Sequence, residues 1–154
     1  SDHTYANGNT DATLTAPDPL GGLNDLARQA AAAGIKRVSG DVLIDDRLFE
    51  KAEGTGSGPS LLTPIMINDN VIDLIIEPGE LGRPAKLTWR PQSTSIRIDA
   101  KIETAVVVTP VSVAIRDLGG GQYSLSGKIA AGHKPVVRVV EVNDAASHAR
   151  SLFI

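Results

Sequence analysis

Residues 19–49 read PLGGLNDLARQAAAAGIKRVSGDVLIDDRLF. Leu23, Leu26, Ala27 and Ala30 recur at i, i+3, i+4 and i+7, the spacing of one apolar helix face. Asp18 is placed to cap that helix, and Pro19 suits its first position, where a missing N–H costs nothing. Gly34 supplies the left-handed residue that stops a helix, with Lys36 and Arg37 beyond its negative end. Residues 35–46 then alternate before turning wholly apolar at Val42, Leu43 and Ile44, which predicts a strand pair entering a core, closed by Asp45 and Asp46. On this reading Leu26→Asp is strongly destabilising, because it buries a charge. The stretch is an αβ building block rather than an active site.

Outward from it the chain becomes strand-rich. Residues 2–15 are polar and turn-forming, with a short run around Ala12 and Leu14. Residues 54–60 hold three glycines, two serines and Pro59, a flexible connector; it lacks the lysine and following helix that phosphate cradling needs. Strands are expected at 71–76, ended by Pro78-Gly79, and at 85–89, stopped by Pro91. Residues 95–102 alternate, with Ile96, Ile98 and Ile102 on one side and Arg97, Asp99 and Lys101 on the other. Residues 104–113 are β-branched but carry Pro110, which suits a strand end or sheet edge. Residues 113–115 and 123–129 flank Gly119-Gly120-Gly121 and read as a hairpin. A last strand follows at 136–142, then a short helix capped by Asn143 or Asp144.

The fold class is therefore α+β: a small N-terminal αβ unit, residues 1–55, then a β-rich antiparallel region with a short C-terminal helix, residues 56–154. At 154 residues the chain can bury one sizeable core or two small ones. A net charge of −3 and 3% aromatic residues argue against a nucleic-acid interface, which needs a basic, stacking face. The absence of cysteine excludes disulfides and thiolate metal sites. No apolar run approaches the ~20 residues of a transmembrane segment.

Several segments resemble, in order, the type-4 (class C) penicillin-binding proteins, the serine D-Ala-D-Ala carboxypeptidase/endopeptidase family S13. They are GNTDATLT at 8–15, the helix with GIKRVSGDVLIDD at 34–46 and Phe49, INDNVIDLIIEPG at 67–79, SGKIAAGHKPVVR at 126–138 and ARSLFI at 149–154. Ala12 stands where the family usually has proline. The resemblance covers the region that, in the family, interrupts the catalytic domain. It implies a parent exported to the periplasm or beyond, acting in peptidoglycan metabolism, with the parent's catalytic domain as partner and peptidoglycan peptides as potential ligands.

Catalysis in that family needs Ser-x-x-Lys, so that an amine sits beside the nucleophilic hydroxyl, together with Ser-x-Asn and Lys-Thr-Gly. No serine here has lysine three positions on; Ser93 reaches Ile96 and Ser126 reaches Ile129. Ser-x-Asn is missing, and Lys128 and Lys134 are followed by Ile129 and Pro135. No catalytic, cofactor-binding or metal-binding residue is carried over, and no cofactor is implied. Among other chemistries, Asp45 and Asp46 are neighbours that point apart on a strand. Asp69, Asn70 and Asp73 could attract a cation but lack calcium-loop spacing. His3, His133 and His148 have no mutual ligand spacing, and His133 sits in a glycine turn, exposed. Gly56-Ser57-Gly58 lacks the strand–turn–helix frame of a nucleophile elbow. Trp89 reads as packing before ligand contact. Three functions are consistent with this: an accessory domain shaping access to the parent's cleft, a free-standing binding module with an exposed apolar or Trp89-centred surface, or a small hydrolase whose carboxylates converge among Asp41, Asp45, Asp46 and Asp69.

Overall fold

The computed structural model describes residues 11–14, 17–54 and 59–154. In chain order its elements are α1 (Gly21–Ala32), β1 (Ala52–Glu53), β2 (Leu61–Leu62), β3 (Val71–Glu77), β4 (Lys86–Arg90), β5 (Arg97–Ala105), β6 (Ser112–Gly119), β7 (Gln122–Ala130), β8 (Val136–Glu141) and α2 (Ala145–Phe153). This is the expected α+β architecture, rich in strands. Among the described residues, no helix is long and apolar enough to cross a membrane.

Two three-stranded sheets carry the core. One has the order β4-β3-β8, antiparallel throughout; the other has the order β5-β7-β6. In the second, β6 and β7 form the expected hairpin across the glycine turn, whereas β5 runs parallel to β7. The sheets are stitched together just before β4. The Gly82 amide donates to the Thr104 carbonyl, Thr104 to Arg83, and Ala85 to Ile102, at 2.8–2.9 Å. Ile72, Leu74 and Ile76 from β3 thus meet Ile102, Leu125 and Ile129 from the other sheet in one core, with Val136 and Val140 closing it. The period-two pattern of β5 works as read: Ile102 is buried while Arg97, Asp99 and Lys101 face water.

β3 is buried on both faces. Its odd-numbered side, with Val71, meets Val137 and Val139 of β8, and Ala12 and Leu14 of the lead-in lie across them. Lys134 holds that lead-in by donating to Asp11. A left-handed turn over Asn68–Asn70 delivers the chain into β3, with φ of 52°, 53° and 52° at three successive non-glycine residues. Asn and Asp tolerate that conformation better than most residues, yet each still costs energy. The Asn70 side chain offsets the strain: its amide donates to Thr63 Oγ1 at 2.9 Å and to the Ile65 carbonyl at 3.0 Å, while its oxygen accepts from the Ile67 N–H.

The N-terminal unit departs from expectation. Its helix forms and stops as predicted. Gly34, at φ 86°, lets its own N–H reach the Ala31 carbonyl and the Ile35 N–H reach that of Ala30, a Schellman closure. Asp18 does not cap position one but bonds the Leu20 N–H and the Asn24 side chain, because the helix starts two residues later at Gly21. The helix buries no residue: Leu26 is 54% exposed. Residues 35–46 form no strand, and Leu43 is 87% exposed. The physical reason is pairing: a strand needs a ladder partner, and no described segment forms a ladder with the backbone of this one. The small hairpin of β1 and β2 around the 54–60 connector was not legible beforehand; the Gly54 N–H donating to the Ser60 carbonyl closes it.

Leu74→Ala is therefore expected to lower the unfolding free energy by roughly 2–5 kcal/mol, since Leu74 is fully enclosed. Leu26→Asp, against the sequence expectation, should change it by less than about 0.5 kcal/mol. Urea denaturation of both variants checks the pair; equal losses would mean that α1 is packed after all.

Candidate functional site

Between the β4–β5 connection and α2 lies a cluster of three serine hydroxyls and one imidazole. Asp144 caps α2 by accepting from the Ser147 N–H at 3.0 Å, which fixes the rotation of the helix. His148 and Ser151 stand three residues apart on it, and so on one face. That face meets Ser93 and Ser95. His148 Nδ1 lies 3.1 Å from Ser95 Oγ and 3.3 Å from Ser93 Oγ. The two serine hydroxyls are 2.9 Å apart, and Ser151 Oγ donates within 3.0 Å of Ser95 Oγ. His148 is 1% exposed, and its Nε2 has no partner among the described residues. A neutral ring accepting from serine at Nδ1 carries its own proton at Nε2. Burial holds the His148 pKa below the ordinary histidine value.

A cavity of about 250 Å³ opens beside this cluster, bounded by Ser95, Ile96, Gly121, Tyr123, Asp144 and His148. Gly121 is required there: a Cβ on it would stand 2.1 Å from the Ser95 carbonyl oxygen. The Tyr123 hydroxyl donates to the Glu141 carbonyl at 2.7 Å. Burial, with Asp117 and Glu141 nearby, pushes its pKa up to about 12, so it stays a neutral donor. A serine activated by histidine needs a third group orienting the far ring nitrogen. Here Nε2 has none among the described residues, and Nδ1 is shared between two hydroxyls. The geometry is that of a polar lock between α2 and the chain entering β5, not of an activated nucleophile.

The other sequence candidates do not converge. Asp41 faces Arg150 at 3.6 Å, Asp45 chelates Arg47 at 2.8 Å, and Asp46 approaches Lys51 at 3.8 Å. The hydrogen bonds from Arg47 hold Asp45 below the usual carboxylate range, opposite to the raised pKa of a catalytic acid. Asp73 is buried against Arg90 Nε at 3.1 Å and receives the Asn68 side chain at 3.4 Å. Asn70 is consumed by the turn, so the expected acidic patch is a structural network. Among the described residues no group of three His, Asp or Glu could hold a metal ion. His133 is half-buried rather than exposed, its Nδ1 2.7 Å from the Lys134 carbonyl. Trp89 packs half-buried on the main core. His3 and Gly56-Ser57-Gly58 lie outside the described residues.

The His148 cluster escaped sequence reading. The i, i+3 spacing of His148 and Ser151 was visible, but their partners lie more than fifty positions away.

The depressed pKa of His148 sets a pH dependence. Above the ordinary value of 6.5 the ring is neutral in both folded and unfolded chains. As pH falls below it, the unfolded chain takes up a proton that the folded one resists, so stability drops until the folded pKa is passed. Wild-type stability should therefore fall between about pH 7 and 5.5 relative to His148→Gln, by at most about 1.4 kcal/mol per pH unit. Denaturation at matched pH values tests this; parallel curves would show that His148 is solvated.

A model of the D-Ala-D-Ala carboxypeptidase 3 (S13) family matches residues 1–154. The fold is similar to a crystal structure of penicillin binding protein 4 (dacB) from Haemophilus influenzae, with a TM-score of 0.61 and 19% identity, over 86% of this chain and 32% of that one. The same protein complexed with a novel beta-lactam gives a TM-score of 0.56 and 20% identity, over 92% and 30% of the two chains. The chain thus spans about a third of the length of the solved structures it matches. Comparison with curated protein sequences finds no match.

Proposed function

Because the chain belongs to the D-Ala-D-Ala carboxypeptidase 3 (S13) family, we propose that it is the non-catalytic accessory region of a larger serine-type D-Ala-D-Ala carboxypeptidase or endopeptidase. One observation carries the reading. The family match runs over residues 1–154, yet the sequence contains no Ser-x-x-Lys, Ser-x-Asn or Lys-Thr-Gly. The solved structures it resembles are about three times longer, which leaves room for those elements on either side.

In such a parent the nucleophilic serine, its lysine and the oxyanion donors come from flanking polypeptide. The serine attacks the D-Ala–D-Ala amide, expelling the terminal D-alanine, and water then hydrolyses the acyl-enzyme. This region contributes shape. Its joined sheets form a rigid body that can wall a cleft, admit a peptide of suitable width, or hold the parent's halves in register. Residues 56–154 are the framework and residues 1–55 the part that meets the remainder of the parent. A parent that acts on peptidoglycan works outside the cytoplasm, and that location is part of the proposal.

Incubating the chain with benzylpenicillin and recording its intact mass tests the assignment of catalysis elsewhere. The expected mass is that of the unmodified chain. A stoichiometric increase would place an acylated nucleophile inside these residues and overturn the reading. The reading frame around the segment supplies the complement: Ser-x-x-Lys should precede residue 1, with Ser-x-Asn and Lys-Thr-Gly after residue 154. A frame closed at both ends would sink the proposal.

A further inference from the structure

We infer that residues 35–46, together with the apolar face of α1, form a docking edge for an extended, apolar strand supplied by parent polypeptide outside these 154 residues. The inference rests on the accessory-region reading above and names the surface through which that region meets its parent.

The edge is visible in the backbone. Side chains 41–46 alternate between exposed and half-buried, with Val42, Ile44 and Asp46 turned inward and Leu43 outward. That is the period of a strand. Among the described residues, no backbone N–H of residues 36–51 donates to a backbone carbonyl. The Arg47 N–H is met instead by the Asp45 side chain. A run with strand period and no ladder presents the row of donors and acceptors that another strand completes.

The walls beside the edge are apolar. A hollow of about 410 Å³ lies between α1, this segment and α2, lined by Leu23, Leu26, Val42, Ile44, Met66 and Phe153. A second, of about 310 Å³, lies on the other flank of α1 against Ala27, Ala30, Ile35 and Val38, and the two share Leu23 and Phe153. The helix face read from sequence is thus correctly placed but uncovered. Ion pairs steady both sides of the stretch, Asp41 with Arg150 and Asp46 with Lys51. They leave Leu43 between them bare.

Those features specify the occupant. It must be extended, to satisfy the backbone, and apolar where it faces Leu26 and Met66. Tethering favours a segment of the same polypeptide over a second copy. A joined segment acts at an effective concentration on the order of millimolar, and the solved relatives carry about two thirds of their length beyond the matched portion.

Amide hydrogen exchange on the 154-residue chain and on the full product of its reading frame tests this. The amides of residues 42–44 should exchange almost as fast as in an unfolded chain when the region is alone. In the longer protein they should be slower by at least about a hundredfold. Fast exchange in both would overturn the docking edge while leaving the accessory-region reading intact. Slow exchange in the isolated monomer would show that the segment finds its partner internally, and overturn it as well. Protection of the isolated chain that rises with concentration, alongside a dimer mass, would replace the parent strand by a second copy. A frame closed at both ends removes the accessory-region reading, and with it this inference, before any exchange is measured.

Discussion

The described structure depends on β3 being covered on both faces. Its even-numbered residues enter the core shared by the two sheets, and Val71 on its other face lies beside Val137 and Val139 of β8 under the lead-in. A strand enclosed on both sides cannot carry an unpaired charge. Asp73, in its middle, is therefore tied to Arg90 on the neighbouring strand, opposite it in the ladder. The same enclosure explains the left-handed turn before it. The chain must turn sharply to enter a position with no free side, and the Asn70 side chain holds the turn by bonding the segment that leads to it. Strain, ion pair and buried amide are three consequences of one constraint.

From that strand, order spreads outward through backbone hydrogen bonds. The residues before β4 pair with β5, so the two sheets are joined by backbone hydrogen bonds as well as by the core they share. α2 is then fastened to the entrance of β5 by His148 among Ser93, Ser95 and Ser151. The hydroxyl cluster satisfies one ring nitrogen, and burial holds the ring's pKa below the ordinary histidine value. Resemblance to a serine peptidase family makes a serine beside a histidine attractive as chemistry, but the bonding pattern here fastens elements together.

The N-terminal unit is built on the opposite principle. α1 is well specified locally, down to its Schellman stop, yet its apolar face is uncovered. A helix stop is decided by one glycine and two hydrogen bonds within six residues, all of them local. Burial of Leu26 or Leu43 requires a second surface, and no described residue supplies it. The result is a chain with a closed core between its sheets and an uncovered face on its first helix.

Much of the fold was legible from local pattern. The alternation in residues 95–102, the buried run of β3, the hairpin across three glycines and the Asp144 cap all depend on neighbours within a turn or a ladder step. The sequence by itself determined these elements, the α+β class and the family, because periodicity, capping and motif order are written in consecutive residues. It could not determine that β5 lies parallel to β7, that His148 meets serines fifty residues away, or that residues 35–46 form no ladder with any described strand. Those were decided only in the tertiary structure. Pairing and burial are relations between distant segments, and a strand pattern states what a segment needs without stating where that need is met.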